Sequence, residues 1–179
     1  MISKRESGQT AMGVTRIISS GSPGAESAAL DAAIRFRIPY GGFTHQGALL
    51  PNDRPTGRYR LDERPYVPAM LLLEANLAQA DGLLTFAGGA LPAFIARVAL
   101  HAREQGQPHL HLDTAQVDVR EAPFRIARWS ETRETAVLCI TGTSLRDDRL
   151  IYAYVHDALS AFFLMIQGGP TAAAPPMLH

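Results

Sequence analysis

Between Pro65 and Leu84 the chain is dominated by Ala and Leu, and no other stretch restricts the possible folds so severely. Pro68 suits a first helical turn, where its missing N–H has no intrahelical partner to lose, and Gly88-Gly89 supply a stop. The spacing predicts a helix over residues 68–86. Its apolar residues run nearly all the way round, the pattern of a helix wrapped by protein rather than one with a single dry stripe. At about 100° per residue Glu74 and Asp81 share one face, while Asn76 and Gln79 share another. Polar groups on a buried helix require partners.

The flanking sequence supplies the remaining elements. Glu26 to Ile34 is rich in helix formers and stops before Pro39, and Pro92 to Arg103 reads as a further helix that ends before Gly106 and Pro108. Tyr40-Gly41-Gly42-Phe43 and Pro51 to Gly57 are turn clusters with strand-like material between them, and Gly57 to Asp62 alternates as a half-buried strand does. Beyond Pro108, His109 to Asp113, Gln116 to Arg120, Phe124 to Trp129, Thr135 to Ser144 and Leu150 to Phe163 carry β-branched and aromatic residues in alternation, and all are expected as strands. The polar run Arg146 to Arg149 would turn the last two into a hairpin. Residues 1–24 and 168–179 are poor in core formers and are expected as tails, leaving one domain over 25–167.

Charge and cysteine content narrow the function classes. The 17 Lys and Arg balance 17 Asp and Glu, which argues against a nucleic-acid partner, since phosphate backbones call for a basic surplus. One cysteine, Cys139, cannot form an internal disulfide, and there is neither a secretory leader nor a run long enough to span a membrane. A cytoplasmic protein without a membrane partner is expected. His109, His111 and Asp113 would share one strand face, but histidines alternating with leucines also describe a solvated face, so no metal is expected. Cys139, between Leu138 and Ile140, reads as a small core residue.

A long apolar helix followed by antiparallel strands resembles the hot-dog fold, an α+β architecture in which a curled antiparallel sheet wraps a long central helix. Val67 to Ala80 is similar to the helix of the 3-hydroxyacyl-carrier-protein dehydratases, with Glu74 on that family's acid, although Leu61 to Tyr66 lacks the family's loop histidine. A fuller resemblance is to the FcoT-like thioesterases: Pro39-Tyr40, Glu63 to Val67, and Asn76-Leu77-Ala78 match three ordered elements of that family. The chain lacks that family's short insertion between the tyrosine and the helix.

This resemblance implies hydrolysis of an acyl-CoA or acyl-carrier-protein thioester, with glycine addition to an unsaturated acyl chain, as in isonitrile biosynthesis, permitted. It implies a homodimer and no cofactor. N–H groups at the helix start, near Ala69 to Leu71, would meet the developing oxyanion, and Pro68, Ala69 and Met70 would contact substrate there. Tyr66, Asn76 and Glu74 are then the candidate catalytic residues, with Tyr40 and Gln79 binding substrate. A dehydratase or isomerase using Glu74 with His45, and a non-catalytic acyl-carrier-binding protein, are the alternatives. The plain structural roles stand beside these: Glu74 as an arginine's partner, Asn76 as a backbone clasp, and the tyrosines as core-edge residues.

Overall fold

The computed structural model describes residues 13–47, 49–50, 54–55 and 58–168. In chain order the elements are β1 (Arg16–Ile18), α1 (Ala25–Arg35), β2 (Tyr40–Gly41), β3 (Phe43–His45), β4 (Leu49–Leu50), β5 (Arg54–Pro55), β6 (Asp62–Arg64), α2 (Ala69–Leu77), β7 (Gly82–Ala87), α3 (Ala93–Glu104), β8 (His109–Asp113), α4 (Ala122–Thr132), β9 (Val137–Gly142) and α5 (Ile151–Ile166). Five strands form one sheet in the order β2-β1-β9-β7-β8, and every pairing in it is parallel. Two short ladders lie apart from it, parallel β3-β6 and antiparallel β4-β5.

The curled antiparallel hot-dog sheet expected from the sequence is therefore replaced by a parallel α/β sheet with helices on both faces. The run read as one helix over 68–86 is divided. Helix α2 stops at Leu77, and Asp81 Oδ2 then accepts the backbone N–H groups of Ala136 (3.0 Å) and Val137 (2.8 Å), delivering the chain into β7 beside β9. All six residues of β7 are buried, because a central parallel strand is covered on both faces and reads as one continuous apolar run. Hydrophobic periodicity cannot separate such a strand from buried helix.

The segments 124–129 and 150–163, expected as strands, lie in α4 and α5, and 116–120 forms turns. In α5 the buried positions are Ile151, Val155, Ala158, Leu159, Phe162 and Phe163, a helical stripe that packs on α1 and overrides β propensity. The 136–145/150–156 hairpin is consequently absent, and β9 enters the centre of the sheet instead. The stretch 1–24, expected as a tail, contains β1, whose Ile17 and Ile18 are buried. Residues 1–12 and 169–179 of the two expected tails, and most of the Pro51 to Gly57 turn cluster, lie outside the described residues.

The sheet separates two cores. On one face Ile17, Leu84, Phe86, Leu112, Leu138 and Ile140 pack against α1, α4 and α5. On the other, Leu83 and Cys139 meet Leu73, Leu77, Ile95, Val98, Ala99 and Ala102 of α2 and α3. Gly24 fixes the entry to α1: at φ 124° a Cβ there would stand 2.6 Å from the Thr143 carbonyl oxygen, which accepts the Ala25 N–H at 3.2 Å. The start of α1 is thereby held against the segment leaving β9.

Candidate functional site at the carboxyl edge of the sheet

From the centre of the sheet the chain winds outward in both directions: β1 leads to β2 on one side and β7 to β8 on the other, with β9 between β1 and β7. Strand order reverses at β9. In open α/β sheets a crevice opens at such a point, outside the carboxyl ends of the strands. A cavity of about 150 Å³ lies there, lined by Ser20 and Ser22 after β1, Gly142 to Ser144 and Asp147 after β9, and residues of three helix starts.

Three helix starts and two carboxylates, Glu26 and Asp147, set the electrostatics of the cavity. Glu26 lies in the first turn of α1, Ala69 opens α2, and Pro92 and Phe94 open α3, and all four line the cavity. In α2 the first helical backbone bond runs from Leu72 N–H to the Pro68 carbonyl, and in α3 from Ala96 N–H to the Pro92 carbonyl. The N–H groups of Ala69 to Leu71 and of Ala93 to Ile95 precede those bonds, and no side chain caps either helix among the described residues. Such ends carry about half a positive charge each and are suited to anions.

Glu26 is drawn away from this role by its own partners. Its Oε1 accepts the Thr141 hydroxyl at 2.7 Å, and its Oε2 accepts the Ser22 N–H at 3.2 Å and the Ser20 hydroxyl. Its charge also lies at the positive end of α1. Asp147, exposed at the rim, accepts the Ser144 hydroxyl at 2.8 Å. Among the described residues no lysine or arginine lines the cavity. His45 does, and its Nδ1 is buried without a hydrogen-bond partner among the described residues, while its ring stacks on Tyr66 at 5.5 Å. A buried polar atom left unpaired calls for a partner.

The residues singled out by sequence are scattered relative to this cavity. Asn76 lines it but has its amide engaged, Oδ1 accepting the Phe43 N–H at 2.6 Å and Nδ2 donating to the Phe43 carbonyl at 3.0 Å, which ties β3 and hence His45 to α2. Ala69 lines the cavity, Pro68 is the residue before α2, and Met70 is half-buried against the α2/α3 core. Tyr66 is 86% exposed, Gln79 is exposed and Glu74 half-buried. Tyr40 is on edge strand β2, its hydroxyl accepting the Arg60 N–H at 3.3 Å. Burial pushes the Cys139 thiol up, consistent with a core residue. Sequence reasoning misses Ser20 and Ser22 because the Ser-Gly-Pro stretch reads as a tail, and it gives Glu26 only a place in the first helix. The available signal was an apolar pair, Ile17-Ile18, followed by a glycine-rich turn and a helix, the pattern of a strand–turn–helix ligand loop.

The strand order also has a specific relation to the common doubly wound sheet. Moving β9 ahead of β1 would yield the order 3-2-1-4-5, so the chain is a circular permutation of that arrangement. The model of the circularly permutated YpsA SLOG family matches residues 17–163. The chain belongs to this family. The crystal structure of a protein described as a "putative molybdenum carrier protein" from Syntrophus aciditrophicus SB superimposes with a TM-score of 0.77 at 34% identity, covering 84% of this chain and 95% of that one. No curated protein matches.

Membership of the SLOG family overturns the hot-dog and FcoT-like assignment and, with it, thioester hydrolysis, the dehydratase alternative and an acyl-CoA or acyl-carrier partner. The expected homodimer loses its basis, since it was inherited from hot-dog sheets. The physical reason for the difference is the division of 68–86: the helix start expected to face a thioester exists, but it opens on a cavity at the carboxyl edge of a parallel sheet instead of lying inside a curled antiparallel one. Among the described residues no helix is long and apolar enough to cross a membrane.

Proposed function

We propose that the protein is a small-anion carrier that holds molybdenum as an oxyanion in the cavity at the carboxyl edge of the sheet. The observation that carries this reading is the convergence of the uncapped starts of α2 and α3 with the unpaired His45 Nδ1 on one small cavity. A tetrahedral oxyanion presents acceptors in several directions. The N–H groups at the two helix starts donate to it, and His45 donates whenever Nδ1 carries a proton. The similarity to the Syntrophus protein supports molybdenum as the element. Binding by backbone dipoles instead of lysine or arginine suits release as well as capture, because among the described residues no long cationic side chain lines the site and must be re-solvated.

Equilibrium dialysis against sodium molybdate, with bound metal counted by mass spectrometry, tests the proposal. About one molybdenum per chain is expected, displaced by tungstate. His45→Ala should weaken binding at least tenfold, about 1.4 kcal/mol, with an unchanged unfolding midpoint. Absence of binding, or binding indifferent to His45→Ala, would overturn it.

A further inference from the structure

The strand β8 histidines form a connected chain that ends beside the proposed site. Thr85 of β7, fully buried, has its hydroxyl 2.9 Å from His109 Nε2 and 3.1 Å from His111 Nδ1. His111 Nε2 lies 3.1 Å from the Gly89 carbonyl oxygen, and the Gly89 N–H donates to Asp113 Oδ1 at 2.8 Å. Gly89 is in the left-handed region at φ 80°, in the segment leaving β7. Its neighbours Gly88 and Ala90 line a groove of about 510 Å³ that shares Pro92, Thr143 and Asp147 with the cavity. Both polar groups of the Gly89 backbone are thus held by side chains of β8.

Proton counting gives this chain one direction. A carbonyl oxygen only accepts, so His111 Nε2 must carry hydrogen, and a neutral His111 therefore has a bare Nδ1. That nitrogen accepts, and the Thr85 hydroxyl donates to it at 3.1 Å in preference to the Leu110 carbonyl oxygen, which lies farther off at 3.5 Å. The one hydroxyl hydrogen being committed, His109 Nε2 must donate to Thr85 Oγ. His109 stays neutral, its pKa pushed down to about 4 by burial first and then by Arg103 and His111. Asp113 is held below the usual carboxylate range by the N–H groups of Gly89 and Ala115, so it remains an acceptor at the far end.

We infer that Thr85 and His111 are positioning residues for the ligand site, fixing the Gly88–Ala90 segment through a one-way relay from His109 Nε2–H to Thr85, to His111 and to the Gly89 carbonyl. This rests on the carrier reading for its functional consequence, but the relay itself is independent of it.

Nitrogen-15 spectra of the histidine side chains at pH 7.5 test the relay in the unaltered protein: His111 and His109 should both appear as Nε2-protonated tautomers. A His111 protonated at Nδ1 alone would overturn the inference. Thr85→Val removes the hydroxyl at nearly constant shape, and His109, having lost the partner of its Nε2, should then show mixed tautomers and molybdate affinity should fall about fivefold, with Thr85→Ser restoring both. Unchanged tautomers in Thr85→Val would also overturn it. If the unaltered protein binds no molybdate, the carrier reading fails while the tautomer result still decides the relay. If the relay is present and Thr85→Val binds molybdate normally, the positioning role fails and the carrier reading stands.

Discussion

The two faces of the sheet are built differently. On the α1/α4/α5 face large apolar side chains fill the space, and the buried Asp31 is fully partnered by the Tyr59 hydroxyl (2.9 Å), the Tyr152 hydroxyl (2.6 Å) and Arg58 (3.0 Å). On the α2/α3 face the core is small, Thr85, His109 and His111 form a polar seam, and α2 leaves Leu71 47% exposed although its sequence is largely apolar. A continuous apolar core on one face and a smaller core with a polar seam on the other indicate that most of the stability comes from the first, while the cavity lies at the carboxyl edge where the starts of α1, α2 and α3 meet. Polar seams and vacant donors cost stability, and the larger core offsets them.

Substitutions that act on one face and leave the other unaffected sharpen this contrast. The largest effect is expected from Phe162→Ala, which empties a fully buried position in the larger core: about 3–5 kcal/mol by denaturant unfolding, with the proportion of folded protein able to bind molybdate unchanged. A loss below about 1 kcal/mol would contradict the assignment of stability to that face.

An intermediate effect belongs to the polar seam. Because the folded state holds the His109 pKa near 4, below its ordinary value of 6.5, the unfolded chain takes up that proton first as pH falls. The stabilisation is complete above about pH 6.5 and is lost progressively as pH falls toward 4. Unfolding midpoints measured across that window should decline more steeply in the unaltered protein than in His109→Gln, and equal slopes would contradict the burial of a neutral ring there. The smallest effect is expected at Leu71→Gln on the open side of α2, within about 0.5 kcal/mol by the same unfolding measurement. A larger loss would mean that the exposed side of α2 is structurally engaged.

Local elements were legible in the sequence where one signal dominated. The helix expected over 26–34 occurs as Ala25–Arg35, that over 92–103 as Ala93–Glu104, and the strand His109–Asp113 as expected. Misreading came where burial replaces pattern. Leu83 to Ala87 is covered on both faces and has no alternation to display, so it merged with the helix before it. Ile151 to Phe163 carries β-branched and aromatic residues whose helical stripe is decided by α1, a partner distant in sequence. With two helices expected as strands and one strand as helix, the sequence points away from the parallel topology. Of the site, Ala69 and Asn76 were noted for chemistry that the family excludes, and His45 only as an alternative base. Its significance depends on Asn76 clamping Phe43, a contact between residues far apart in the chain.

The central claim, that helix starts and His45 enclose an anion site, is tested most directly by backbone amide shifts during titration with sodium molybdate. The amides of Ala69 to Leu71 and Ala93 to Ile95 should move together and saturate at one equivalent, alongside the His45 ring. Shifts confined to the exposed arginines Arg103 and Arg133 near the opposite end of β8, with those helix starts unmoved, would contradict the account.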